Sequence, residues 1–146
     1  MTPVPSSAAA PLLGQLVQQL HRFFHQLDER RYDAMLAQFT HDGRWLRQGQ
    51  WLDGREAIGA ALKARAGHVQ TLHVMTNAYV ADMSDDQAVL EAYMTAYRYT
   101  AADGVAVARI AGPSKLNRVH TVFRRDAGHD WRIAEQQMVA ALAFVE

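Results

Sequence analysis

A chain of 146 residues is long enough for one domain with a real core and too short for two comfortable ones. Lys+Arg and Asp+Glu each number 15 and are scattered, so no net field draws nucleic acid or an anionic membrane, and the expected partners are small molecules or other proteins. The absence of cysteine excludes disulfides and thiolate metal sites. No basic n-region precedes an apolar h-region, and no apolar run approaches the roughly 18 residues of a membrane span, so the expected location is cytoplasmic.

Residues 1–10, rich in Pro, Ser and Ala, read as a disordered arm, and residues 11–146 as a single domain. From Leu12 to Asp28, apolar residues at Leu13, Leu16, Val17, Leu20, Phe24 and Leu27 write one buried helical stripe. "RRYDAMLAQF" repeats that spacing with Tyr32, Met35, Leu36 and Phe39 and predicts a short second helix, ended by a turn at "THDG". "RWLRQGQWLDG" predicts a brief strand, a glycine turn and a second extended piece. Asp53 followed by Glu56 resembles a capping box and opens a third helix, "REAIGAALKARA", ending at Gly67.

The period then changes. "VQTLHVMTNAYVADM", "QAVLEAYMTAYRYTA", "SKLNRVHTVFRRD" and "DWRIAEQQMVAALAF" are rich in strand formers and separated by "SDD", "ADG" and "DAGH", which predicts four antiparallel strands in meander order. Helices followed by hairpins is the α+β pattern, with a strongly curved sheet wrapped around the helices to enclose a pocket. Alternation puts Leu90, Ala92, Met94 and Ala96 on one face and Glu91, Tyr93, Thr95 and Tyr97 on the other, with the small apolar set expected to be concave. Likewise Leu116, Arg118, His120 and Val122 share a face, as do Ala134, Gln136, Met138 and Ala140, though alternation alone does not say which face is concave.

Asp28 stands four residues after Phe24 and eight after Leu20, so it continues the buried stripe. A buried carboxylate needs a partner, because left alone it costs several kcal/mol, on the order given for an unpaired buried charge. His73, on the strand expected to pack on this helix, is a suitable one. An Asp accepting from one ring nitrogen orients the imidazole and stabilises the imidazolium formed when the other nitrogen takes a proton, which makes a general base. The alternative reading leaves Asp28 at a cap or helix end and His73 as a hydrogen-bonded strand histidine. Asn77 is a candidate for fold support rather than chemistry. His21 and His25 are four apart, as metal pairs are, but they flank the stripe and no third ligand converges in sequence, so no metal is expected. Trp45 and Trp51 could wall a pocket, or pack the core or its rim.

"QLDERRYDAMLAQFTHDGRW", "DGREAIGAAL", "LHVMTNAYV" and "DWRIAEQQM", in that order over about residues 12 to 144, resemble the nuclear-transport-factor-2-like superfamily in its SnoaL-like branch. That branch includes scytalone dehydratase and hexachlorocyclohexane dehydrochlorinase, and the small subunits of ring-hydroxylating dioxygenases are similar. The resemblance implies a cystatin/NTF2-like cone, a curved antiparallel sheet around three N-terminal helices. It also implies a catalytic pair, matched here by Asp28 of "LDERR" and His73 of "HVMTN". It further implies that Arg118 and His120 lie on the concave face of the third long strand, with Met94, Ala96, Gln136 and Met138 nearby and Tyr32 available to the substrate, and Trp45, as a candidate pocket wall, is counted with them. The expected function is a cofactor-independent lyase or isomerase of dehydratase type, acting on a small, largely apolar cyclic or carbonyl-bearing substrate. The alternative is a non-catalytic, ligand-binding or small-subunit module like that of the dioxygenases, whose partner would be a larger oxygenase chain. Met35 departs from that subunit's pattern, which has Trp there. Under either reading the outer face bearing Tyr93, Thr95 and Tyr97 suits a homo-oligomer, dimer or trimer.

Overall fold

The protein is described by a computed structural model covering residues 3–126 and 129–145. Helix α1 (Ser6–Asp28) and a short α2 (Tyr32–Ala37) lead into β1 (Phe39–Arg47) and β2 (Gln50–Asp53). Helix α3 (Gly54–Lys63) and four long strands follow: β3 (Val69–Met83), β4 (Gln87–Thr100), β5 (Lys115–Arg124) and β6 (Arg132–Ala143). The sheet runs β2-β1-β6-β5-β4-β3. Among the described residues only the β1–β6 pairing is parallel, so the predicted meander is antiparallel throughout and the first hairpin is added beside its last strand. The architecture is the expected α+β one, a curved open sheet with its helices at the N-terminus.

Helix α1 starts before the point expected of it. Ser6 to Ala10 are helical rather than part of an arm, and the helix continues through Pro11, while Met1 and Thr2 lie outside the described residues. An interior proline removes a backbone hydrogen bond and costs about 3 kcal/mol. Three consecutive alanines, the burial of Ala9, and the packing of Val4, Leu12 and Leu13 against the core oppose that cost. Farther along, Leu16, Leu20, Phe24 and Leu27 of the predicted stripe are buried, Leu13 and Val17 are half-buried, and Phe23 joins the buried set. Phe23 meets Phe24, Phe39 and Trp45 edge-on, with ring centroids 5.4, 5.6 and 5.5 Å apart, an arrangement that favours aromatic quadrupoles.

"THDG" is not a turn. Thr40 to Gly43 lie within β1, where the ladder to β6 is irregular between Phe39 and Arg44. Gly43 is required there, since a Cβ would stand 2.9 Å from the Phe39 ring and 3.0 Å from the Ile133 carbonyl oxygen. Asp53 does occupy the N-cap of α3 but makes no side-chain cap bond; its carboxylate lies 3.1 Å from Arg44 Nε on the paired strand, an ion pair in place of a capping box. The "ADG" turn is part of a longer irregular connection, residues 101–114, between β4 and β5.

Two backbone features shape the strands. Gln48 and Gly49, with φ of 52° and 75°, form a two-residue loop closed by the Arg47–Gln50 pair, the conformation that matches strand twist in a tight hairpin. In β3, Asn77 has φ of 57° where the register to β4 shifts, a bulge at which one extra residue resets the alternation. His73 and Met75 face the helices before it, and Ala78 and Val80 after it, while Asn77 is exposed.

Candidate functional site

Asp28 is the last residue of α1, where the helix presents its unpaired carbonyls, an unfavourable place for a carboxylate. Three donors converge on it. His73 Nδ1 lies 2.5 Å from Oδ1, the His73 backbone N–H donates to Oδ2 at 2.9 Å, and the Thr71 hydroxyl donates to Oδ1 at 3.0 Å. A carboxylate accepting all three fixes the tautomer, with the proton on Nδ1. Nε2 is left as the free lone pair and makes no hydrogen bond among the described residues. The ring stacks on Phe24, with centroids 5.7 Å apart and planes at 27°, so both its edge and its face are held.

Arg65 supports the pair from behind. Its guanidinium donates to the Leu27 carbonyl at 3.0 Å, the Tyr32 hydroxyl at 3.0 Å and Thr71 Oγ1 at 2.9 Å. It thereby adds a second donor to the Leu27 carbonyl, which also accepts from the Arg30 backbone N–H at 3.3 Å, and aims the Thr71 hydroxyl at Asp28.

His73 lines a cavity of about 680 Å³ in the open end of the cone, a size suited to a small molecule. Leu27 of α1, Trp45 and Arg47 of β1, Ala96 of β4, Asn117 of β5 and Met138 of β6 share its wall. Trp45 donates its indole N–H to the Met138 sulfur at 3.2 Å, which locks both side chains. Arg47 lies with its guanidinium carbon 5.1 Å from the Trp45 ring centroid. Burial, and secondarily the nearby charge of Arg65, pull the Arg47 pKa below its ordinary value. An arginine so placed remains charged.

The other expected site residues divide. Ala96, Met138 and Trp45 are at the cavity wall. Met94 and Gln136 are on the inward face but buried below the wall, Gln136 donating to Thr121 at 3.4 Å. Tyr32 lies outside the cavity lining, where its hydroxyl takes the Arg65 bond and another from Arg30 at 3.3 Å. Arg118 and His120 are on the opposite face of the sheet from the one expected. Paired residues of an antiparallel ladder share a face, and buried Ala92 and Met94 pair with Val119 and Asn117, so Arg118 and His120 point away. His120 instead meets Glu91 on the outer face.

Arg47, Asn117, Thr71 and Arg65 were not anticipated. Thr71 and Arg47 were accessible by alternation, two residues from His73 and Trp45. Asn117 needed the β4–β5 register, and Arg65 needed the tertiary fold. Among the described residues, no group of His, Asp and Glu has metal-binding geometry.

The profile of the SnoaL-like domain matches residues 12–137. Among solved structures, Aln2 from a Streptomyces species superposes with a TM-score of 0.74 at 22% identity, over 96% of this chain and 94% of that one. A scytalone dehydratase-like protein from Novosphingobium aromaticivorans gives 0.73 at 14% identity, over 88% and 83%. An NTF2-like protein with a cystatin-like fold, also from Novosphingobium aromaticivorans, gives 0.67 at 18%, over 85% and 78%. No protein of curated function matches the chain.

Proposed function

This chain belongs to the SnoaL-like domain family, and from that premise we propose that it is a cofactor-independent lyase or isomerase of dehydratase type, with His73 as general base and Asp28 as its orienting partner. The observation that carries this reading is the Asp28–His73 contact of 2.5 Å at the wall of a cavity of about 680 Å³, with Nε2 left over for a substrate. His73 Nε2 takes a proton from carbon beside a carbonyl, and the imidazolium so formed faces the Asp28 carboxylate. The electron pair released from the C–H bond forms the new double bond. In dehydration it expels hydroxide, which leaves as water with the proton His73 returns; in isomerisation the proton goes back to a different carbon. The Trp45, Met138 and Ala96 surfaces suit a largely apolar ring.

The test is turnover of a panel of dehydration and isomerisation substrates by wild type, His73→Ala and Asp28→Asn. Loss of about 10²–10⁴-fold in rate is expected for each variant. Equal rates in all three remove the pair from the mechanism.

A second reading, a non-catalytic subunit, is favoured by the exposed apolar side chains Leu72, Val74, Tyr93 and Val139 on the outer sheet face. The same face suits a homodimer under either reading, and light scattering of wild type and Val74→Glu distinguishes a dimer held there from a monomer. Among the described residues no helix is long and apolar enough to cross a membrane, and a cytoplasmic setting is part of the proposal.

A further inference from the structure

The cavity wall carries a charge pattern that the sequence as a whole does not. In a chain with equal numbers of acids and bases, the lining among the described residues includes Arg47, Arg65, Arg98 and Lys115 and neither Asp nor Glu. The four cations are not equivalent. Arg65 is committed to the Leu27 carbonyl, Tyr32 and Thr71. Arg98 is exposed, and Lys115 is half-buried at the start of β5. Arg47 is half-buried, and its guanidinium forms neither a hydrogen bond nor an ion pair among the described residues; it lies near the face of Trp45. A guanidinium kept at a cavity wall without an acid among the described residues, beside a second guanidinium, is a standing positive potential that an incoming anion would relieve.

We propose that Arg47 is the anchor for a carboxylate on the substrate, held by the planar fork of its guanidinium while the apolar body of the molecule lies against Trp45 and Met138 and its reacting carbon faces His73. The proposal rests on the reading of this cavity as the site where His73 acts, and it narrows the substrate class to organic acids. The fork matches a carboxylate in two parallel hydrogen bonds, a match that neither an amide nor a lysine replacing the arginine reproduces. The hairpin that ends β1 holds the anchor still, because the loop at Gln48 and Gly49 leaves Arg47 in the last paired position of the strand.

The experiment is binding rather than turnover, so that it fails or succeeds independently of the His73 chemistry. Dissociation constants for cinnamate and for its uncharged isostere cinnamamide are measured by NMR titration of the amide and indole cross-peaks, in wild type, Arg47→Gln, Arg47→Lys, Arg98→Gln, Lys115→Gln and His73→Ala. Wild type should bind cinnamate at least about tenfold more tightly than cinnamamide, the range of a charge-assisted hydrogen-bonded pair. Arg47→Gln should abolish that preference and Arg47→Lys should retain only part of it, whereas the two rim variants and His73→Ala should keep most of it. Equal binding of the two probes by wild type, or binding of neither, overturns the proposal. So does a preference that survives Arg47→Gln, or one lost instead in Arg98→Gln, Lys115→Gln or His73→Ala. An inactive dyad with an intact cinnamate preference would sink the catalytic reading and leave the anchor standing.

Discussion

Two histidines in this chain meet a carboxylate through the same ring nitrogen, His73 with Asp28 inside the cone and His120 with Glu91 on the outside of the sheet. By contact alone the pairs are alike. They differ in what surrounds them: the side chains of His73 and Asp28 are each 9% exposed, those of His120 and Glu91 37% and 32%. Asp28 also collects the Thr71 hydroxyl and the His73 backbone N–H, and its imidazole is stacked on Phe24 beside a cavity. Glu91 and His120 face each other across β4 and β5 where water can replace either partner. A histidine–carboxylate contact therefore becomes a candidate base only when the ring is enclosed beside a cavity, its tautomer is fixed and its second nitrogen is free of protein partners.

Rate should separate the pairs most. If the interior pair acts as proposed, Asp28→Asn loses turnover by about 10²–10⁴-fold, and the matching Glu91→Gln stays within about twofold because no substrate reaches it. A similar loss in both would mean that enclosure is not what distinguishes them. Stability should separate them next. Asp28→Ala leaves the Nδ1 proton, a backbone N–H and the Thr71 hydroxyl without their acceptor, so about 2–4 kcal/mol should be lost in urea unfolding. Glu91→Ala, a half-exposed pair screened by solvent, should cost less than about 1 kcal/mol. Smaller again is Thr71→Val, which keeps the side-chain shape and deletes the bridge from Arg65 to Asp28. A loss of about 1 kcal/mol is expected, with less than a tenfold change in rate, since the His73 contacts remain.

The inner pair was legible in the sequence and the outer one was not, for a physical reason. Asp28 continues a helical stripe set by Leu20 and Phe24, and His73 belongs to a long strand of the right composition, so periodicity alone brings both toward the core. Alternation along β5 sorts Arg118 and His120 from Asn117 and Val119 but is silent on which set is inside. That is fixed by pairing with β4, between strands whose partners, from Ala96 with Lys115 to Gln87 with Arg124, are far apart in the chain. The bulge at Asn77 hides in the same way, because an asparagine that adopts positive φ is written no differently from one that does not. Arg47 stood two residues beyond Trp45 on the same strand, and the proposal that it anchors a carboxylate came only from the fold, which places it at a cavity wall with no acid among the described residues. The overall fold was more legible than the site, since long elements average over many residues while a site depends on a few exact neighbours.

The exposed end of the same scale is Asp42 on β1, whose carboxylate accepts from Thr40 Oγ1 at 2.9 Å and meets Arg124 at 3.2 Å. The Thr40 hydrogen bond, and then the charge of Arg124, hold its pKa below the ordinary aspartate value. Because the folded pKa is depressed, the contribution is present above the unfolded pKa and is lost as the pH falls through the folded one. Solvent screens both partners, so the gain is small despite the clear direction. Comparing wild type with Asp42→Asn, the pH-dependent part of the Tm difference should be about 1 °C or less, appearing as the pH rises through the acidic range and flat toward neutrality. A swing of several degrees would place an exposed carboxylate on a par with Asp28 and break the link between enclosure and strength on which the contrast between His73 and His120 depends.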